Sequence, residues 1–382
     1  MANHRHLIYR LKIEVLSPLH IGTGHILRRG FEFDVRGGQT WVIDNDALAN
    51  DVLNQGMDSQ NWRNLLAGRP AAELLDDDDY RHDSPFMRYV LRGAPKAHST
   101  GSEIREMIKD PWDRPYIPGS SLKGALRTAF MVYAFEGLEM QFEPDALDDR
   151  PKLAARDIER AIVAPGVEQK RAPNHDIFKA MQVADSAPDE QRRMMLITGA
   201  VFAGKETSIP VALECMPRGA TVVATLTFDR MMLDRYGPAR LGWDSEKQVA
   251  WLKGIRLRAN QFAFRRIQAE RKYWTERGVQ GMVDFYQLRF LEMKKLQVEK
   301  DATTFYLQLG WGAGWSSKTL GHILTKDSAR FYRTVKLYGR NMDLRGDYRE
   351  GGIFPRSRKV VVEDERMVAP FGWLRATMEQ VS

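Results

Sequence analysis

Leu7-Ile8-Tyr9-Arg10-Leu11-Lys12-Ile13-Glu14-Val15-Leu16 alternates apolar and charged residues. Leu7, Tyr9, Leu11, Ile13 and Val15 point one way and Arg10, Lys12 and Glu14 the other. That period of two predicts a half-buried strand with a polar outer face. Ser17-Pro18-Leu19-His20-Ile21-Gly22-Thr23-Gly24 then breaks the pattern and reads as a loop. Residues 31–35 and 40–43 flank Arg36-Gly37-Gly38-Gln39, a hairpin signal.

Further along, residues 50–113 have poor periodicity, an acidic run from Asp76 to Asp79 and several breakers. They predict an inserted, partly helical or mobile segment. Tyr116-Ile117-Pro118-Gly119-Ser120-Ser121 leads into an amphipathic helix with Leu122, Ala125, Leu126, Ala129, Phe130 and Tyr133 on its apolar face. Ser120 or Ser121 is its expected N-cap. Strands are predicted over 179–184, 194–202, 209–215, 220–228 and 304–309. Helix is predicted from 243 to about 298, broken near Gly278 and Gly281, with another helix capped by Ser316 or Ser317. Residues 351–373 read as basic and irregular, and no tandem repeat is present. This order predicts an α+β fold of two ferredoxin-like (RRM-like) modules with antiparallel sheets and a helical insertion. The modules are expected at 1–190, with the insertion at about 50–113, and at 191–382, with the long helices and a glycine-rich loop. The basic outer face of the first strand suits a sheet that reads RNA.

The 382 residues are enough for two domains, and 43% hydrophobic content supports a sizeable core. The formal net charge of +7 favours a polyanionic partner, though weakly. Cys215 is the sole cysteine, which rules out an intramolecular disulfide and nearly excludes a cysteine-based zinc site. Residues 1–10 carry no apolar signal region, and no run approaches a membrane span, so a cytoplasmic location is expected.

Three stretches could grip a polyanion. The first is Gly119-Ser120-Ser121-Leu122-Lys123-Gly124-Ala125-Leu126-Arg127, where a helix start offers N–H groups and Lys123 and Arg127 share a face. The alternative is an ordinary loop-to-helix junction with solvated basic residues. The second is Gly310-Trp311-Gly312-Ala313-Gly314-Trp315-Ser316-Ser317-Lys318, where tryptophan could stack a base and Lys318 meet a phosphate. Either tryptophan could instead be a core anchor. The third is the late basic density with interleaved aromatics, including Arg265, Arg266, Arg271, Arg356, Arg358 and Lys359. Catalytic signals are thin. His20 could serve as a general base for RNA cleavage, but a lone histidine is more often structural or a binding residue. His82-Asp83, His175-Asp176 and Asp76 to Asp79 lack the partners a metal or catalytic site needs. No metal or cofactor is expected.

Together these motifs are far more specific than singly. Residues 16–24, Trp41-Val42-Ile43-Asp44, residues 116–124, Val183-Ala184-Asp185-Ser186 and the loop at 310–315 resemble the RAMP superfamily of CRISPR-associated RNA-binding proteins. Phe354-Pro355-Arg356-Ser357-Arg358 and Pro370-Phe371-Gly372-Trp373 extend the match; the family usually has threonine at Ser357 and leucine at Phe371. The order and spacing are most similar to the fifth-subunit family of the type III-A Csm interference complex. That resemblance implies a non-catalytic subunit that sits beside the repeated backbone and small subunits and caps the crRNA near its 3′ end, close to target RNA. It also implies a part in crRNA maturation, through recruiting or stimulating a host nuclease. It puts Gly22, Gly24, Gly119, Ser120, Ser121, Lys123 and Arg127 on the RNA side, with Gly310, Gly312, Gly314 and Lys318 in the C-terminal glycine loop. His20, Trp315, Arg356 and Arg358 complete the expected RNA-binding set. The competing expectation is a metal-independent RAMP endoribonuclease that processes precursor crRNA with His20.

Overall fold

The computed structural model describes residues 5–381 except 57–59, 96–101, 142–152, 154, 169, 191–192, 205–206, 209, 301–302, 321–354 and 356. A five-stranded antiparallel sheet runs β11 (Thr304–Gln308), β14 (Trp373–Gln380), β1 (His6–Val15), β10 (Thr221–Asp229), β7 (Met181–Val183). A second sheet runs β2 (Gly22–Arg28), β6 (Glu103–Met107), β9 (Val211–Cys215), β8 (Met195–Phe202), β5 (Met87–Arg92), β4 (Gln39–Ile43), β3 (Phe33–Arg36). The hairpin β12 (Arg358–Glu363) and β13 (Arg366–Pro370) joins it through β8. The pairs β5–β8 and β6–β9 are parallel. Both sheets draw strands from both halves of the chain, and the fold is α+β.

The alternation in β1 is realised as read. Leu11, Ile13 and Val15 are buried while Arg10 and Lys12 are exposed. β1 is an inner strand, with Ile13 opposite Val222 on one side and Ala376 on the other. Among the described residues the α-helices are α1 (Asn45–Asn54), α2 (Gln60–Leu66), α3 (Gly119–Gly137), α4 (Arg156–Val163), α5 (Ala172–His175), α6 (Ala250–Lys253), α7 (Ile255–Thr275), α8 (Gln280–Glu299) and α9 (Trp315–Lys318). Leu122, Leu126 and Phe130 of α3 pack with Leu11, Ile13 and Phe305 in the largest core. α7 contributes Ile255 and Ala259 to that core, and Ala263 and Ile267 to a second one around Trp274, Tyr286 and Trp373. The outer face of β1 does not form an open basic sheet. Lys12 and Glu14 line a groove of mixed charge with Glu292 and Lys295 of α8, and Glu14 pairs with Arg375.

Several local expectations are corrected. Gly22 to Gly24 open strand β2 rather than close a loop. The segment 50–113 supplies β5 and β6, whose buried Met87, Tyr89, Leu91 and Ile104 make them sheet members despite weak periodicity. Residues 351–373 are not wholly irregular, since they hold β12, β13 and the start of β14. The α3 N-cap is Pro118, and neither Ser120 nor Ser121 caps it. A carboxylate from elsewhere takes that role, because the Gly119 N–H donates to Asp185 Oδ1 at 2.7 Å. Likewise α9 starts at Trp315 after Gly314, with Ser316 and Ser317 buried inside it.

Gly119 abuts backbone. A Cβ there would lie 2.2 Å from the Val183 carbonyl oxygen, whereas one at Gly124 would meet nothing within 4 Å. Helix propensity alone would favour alanine at both sites by about 0.5–1 kcal/mol. Gly124→Ala is therefore expected to stabilise by about that amount. Gly119→Ala is expected to destabilise by about 1–3 kcal/mol through overpacking. Urea unfolding of the two variants checks this, and equal shifts would refute the close packing of α3 on residues 183–184.

Candidate nucleic-acid interface

Segments far apart in sequence are laced by backbone hydrogen bonds. Leu19 and Met216 each donate to the other's carbonyl, at 3.0 and 2.9 Å. Gly372 N–H donates to Pro18 O at 2.9 Å and Leu309 N–H to Gly372 O at 3.0 Å. Trp311 N–H donates to His20 O at 2.8 Å. Gly310 makes this approach possible, since its φ is +79° and a Cβ would stand 2.5 Å from the His20 carbonyl oxygen.

A cleft of about 640 Å³ opens where this lacing meets the start of α3. It brings together His20, Gly22, Gly24, Ser120, Ser121, Gly310 and Lys318, all named from sequence. Its size falls within the usual range of ligand pockets, about 300–1,000 Å³. Trp311 borders the cleft and Trp315 does not. The Trp311 ring packs edge-on against Phe371 at 5.0 Å and carries the Lys359 ammonium at 4.3 Å on its face. It is thus both a packing anchor and part of the wall.

The remaining named residues that the structure describes lie off the cleft. Lys123 and Arg127 turn away from it together, as their shared helix face requires. Lys123 Nζ donates to Met181 O at 2.7 Å, and Arg127 pairs with Asp176 at 2.8 Å while covering the Phe178 ring. Desolvation accordingly pushes the Lys123 ammonium pKa down. Arg358 pairs with the buried Glu270 at 2.9 Å and lies over Tyr273. Gly119 is engaged with Asp185, and Gly312, at φ +91°, gives way to the Phe371 side chain. Gly314 (φ +77°) sets the turn into α9. Arg356 lies outside the described residues.

What sequence reading missed is Arg105, in the stretch taken for an insertion, and the particular importance of Lys359. Lys318 and Arg105 line the cleft, Lys359 joins them from the face of Trp311, and none of the three has a carboxylate partner among the described residues. Burial first, then Lys318 and Arg105, push the Lys359 pKa down. Burial does the same to Lys318. Glu106 also lines the cleft, but it is held by Lys109 at 3.3 Å and by the Thr23 hydroxyl at 3.1 Å.

Behind the wall lies a buried polar network. Glu214 accepts from Tyr89 Oη at 2.7 Å, Met107 N–H at 2.9 Å and Lys109 Nζ at 2.7 Å. The Glu214 carbonyl is 2.7 Å from His20 Nδ1, so that nitrogen carries the hydrogen. Burial, with Arg105, Lys109 and Lys359 adding to it, lowers the His20 pKa and keeps the ring neutral, against the opposing pull of the Glu214 carbonyl. On α7, Glu270 binds Arg266, which reaches Ser317 Oγ at 3.3 Å; Ser317 donates to Gln308 at 2.7 Å. This chain of bonds fixes the residue next to Lys318.

A family model matches residues 12–315. The chain belongs to the RAMP superfamily. It is 24% identical to the CRISPR system Cms protein Csm5 of Methanocaldococcus jannaschii, covering 98% of this chain and 91% of that one. Similarity to the Mycobacterium tuberculosis protein of the same name is also 24%, over 88% and 90%. The fold is like that of a chain in a cryo-EM structure of a Csm–crRNA–target RNA ternary complex of a type III-A system. There the TM-score is 0.64 at 24% identity, over 97% of this chain and all of that one. It is also like the crystal structure of T. onnurineus Csm5, with TM-score 0.60 and 22% identity over 95% and 99%. Among the described residues no group of three or more His, Cys, Asp or Glu is placed to hold a metal ion. No helix among them is long and apolar enough to cross a membrane.

The depressed His20 pKa has a consequence for stability. The unfolded chain takes up this proton near the ordinary histidine value of about 6.5, and the folded chain only at lower pH. The stability concerned is present above about pH 6.5 and is lost as pH falls through the folded value. Wild type is therefore expected to lose more stability than His20→Asn between about pH 7.5 and about pH 5. Urea midpoints measured at both pH values check this, and parallel losses would contradict it.

Proposed function

We propose that this chain is the RNA-gripping subunit at one end of a type III-A Csm effector complex in antiviral defence. Through its cleft it caps the 3′ region of the crRNA, beside the backbone and small subunits and close to target RNA. It supports crRNA maturation by giving a host nuclease access to the guide, and it cleaves no RNA itself. One observation carries this reading. Arg105 and Lys318 line the cleft and Lys359 lies beside them on the Trp311 ring, all three without carboxylate partners among the described residues, while Lys123, Arg127 and Arg358 are satisfied internally. Cations that crowd one another are relieved by phosphates. Membership in the RAMP superfamily and relatives named Csm5 along most of the chain support the same reading.

Binding of labelled, repeat-containing RNA to the full chain between about 50 and 200 mM salt tests it. Wild type is expected to bind with a marked salt slope. Lys318→Ala combined with Lys359→Ala should flatten that slope by about 1.4, at about 0.7 per single-strand phosphate contact. Lys123→Ala and Arg127→Ala should leave the slope as in wild type. An unchanged slope in the double variant would remove the cleft from the RNA site. Clean cleavage products on the same gel, lost in His20→Asn, would replace the scaffold reading with that of a metal-independent endoribonuclease.

A further inference from the structure

His20 is 2% exposed, yet it lines the cleft. Its Nδ1 is committed as a donor to the Glu214 carbonyl at 2.7 Å. In a neutral imidazole the other nitrogen, Nε2, is then an acceptor. Nothing among the described residues donates to it. Gly22 keeps it open, since a Cβ at that position would lie 2.8 Å from Nε2. Gly22 does not need glycine for its backbone angle, as its φ is not in the left-handed region. What a side chain there would do is cover this nitrogen.

The charged groups near His20 that are left without a carboxylate partner among the described residues are cations. Arg105, Lys318 and Lys359 suit phosphate oxygens, which cannot donate a hydrogen bond. A ligand that fills the cleft shuts Nε2 off from solvent, and an acceptor buried in that way is costly unless the ligand brings a donor. Within a sugar–phosphate backbone, away from its ends, the only donor group is the ribose 2′-hydroxyl, which DNA lacks. We propose that the cleft reads ribose: one nucleotide of the bound RNA donates its 2′-hydroxyl to His20 Nε2, while the neighbouring phosphates meet the Arg105, Lys318 and Lys359 cluster. This rests on the RNA-binding reading above and assigns that site its discrimination between RNA and DNA. Gly22 serves as a positioning residue by leaving Nε2 uncovered.

The test is a scan of single 2′-deoxy substitutions along the repeat-derived RNA, bound by the full chain. One position is expected to weaken wild-type binding roughly three- to tenfold, the worth of one hydrogen bond. His20→Asn keeps a donor for the Glu214 carbonyl but has no atom in the place of Nε2, and should lose that sensitivity. Gly22→Ala should lose it too. His20→Gln can offer an amide oxygen there and should keep part of it. If His20→Asn does not fold, Gly22→Ala probes the same contact without altering the histidine. A flat scan in wild type that still binds all-ribose RNA with a salt slope overturns the inference and leaves the RNA-binding reading standing. A sensitive position that persists in both variants overturns it as well. An absence of RNA binding by wild type overturns both.

Discussion

The structure turns on one close backbone approach, the hydrogen bond from Trp311 N–H to the carbonyl of His20. It requires Gly310, because any side chain there would meet that carbonyl oxygen. It also requires the bonds from Gly372 to Pro18 and from Leu309 to Gly372, which hold the same loops in line. These contacts fix the ends of β11 and β14 against the end of β1, and so set the wall in which the cleft opens. Each bond contributes only about 0.5–1.5 kcal/mol net. Their importance is geometric: loosening one moves a whole wall of the cleft.

Two buried charge networks stiffen that arrangement from behind. Glu214 ties β9 to β5 and β6 through Tyr89, Met107 and Lys109, and its carbonyl orients His20. Glu270 ties α7 to β12 through Arg358 and, by way of Arg266, to Ser317 in α9. Buried ion pairs add little net stability over apolar packing, but losing one partner costs about 3–5 kcal/mol. They specify position more than they stabilise. They also sort the basic residues. A cation given an internal carboxylate or carbonyl is withdrawn from ligand binding, and only those left over can meet a phosphate.

This sorting explains why the site was only partly legible in the sequence. The helix start and the glycine loop were both visible, and the cleft does join Ser120 and Ser121 to Gly310 and Lys318. Lys123 and Arg127 looked equally suited, but their face of α3 is turned to residues 176–181, which periodicity cannot reveal. Arg105 was overlooked because its strand β6 is short and its neighbours alternate poorly. β6 is a strand because β2 and β9 pair with it on either side. The N-cap of α3 failed for the same reason, since Asp185 reaches it from 66 residues away.

The sequence by itself determined β1 and the amphipathic α3, whose periodicity is strong, and the helical character of most of 243–298. These depend on local backbone preference and on which side chains avoid water, both of which are written into neighbouring residues. Tertiary structure alone decided which cations stay unpaired among the described residues, which tryptophan borders the cleft, and that no described residue donates to His20 Nε2. Each of these depends on a partner distant along the chain, and no local pattern encodes which distant group will fill a hydrogen bond or cancel a charge.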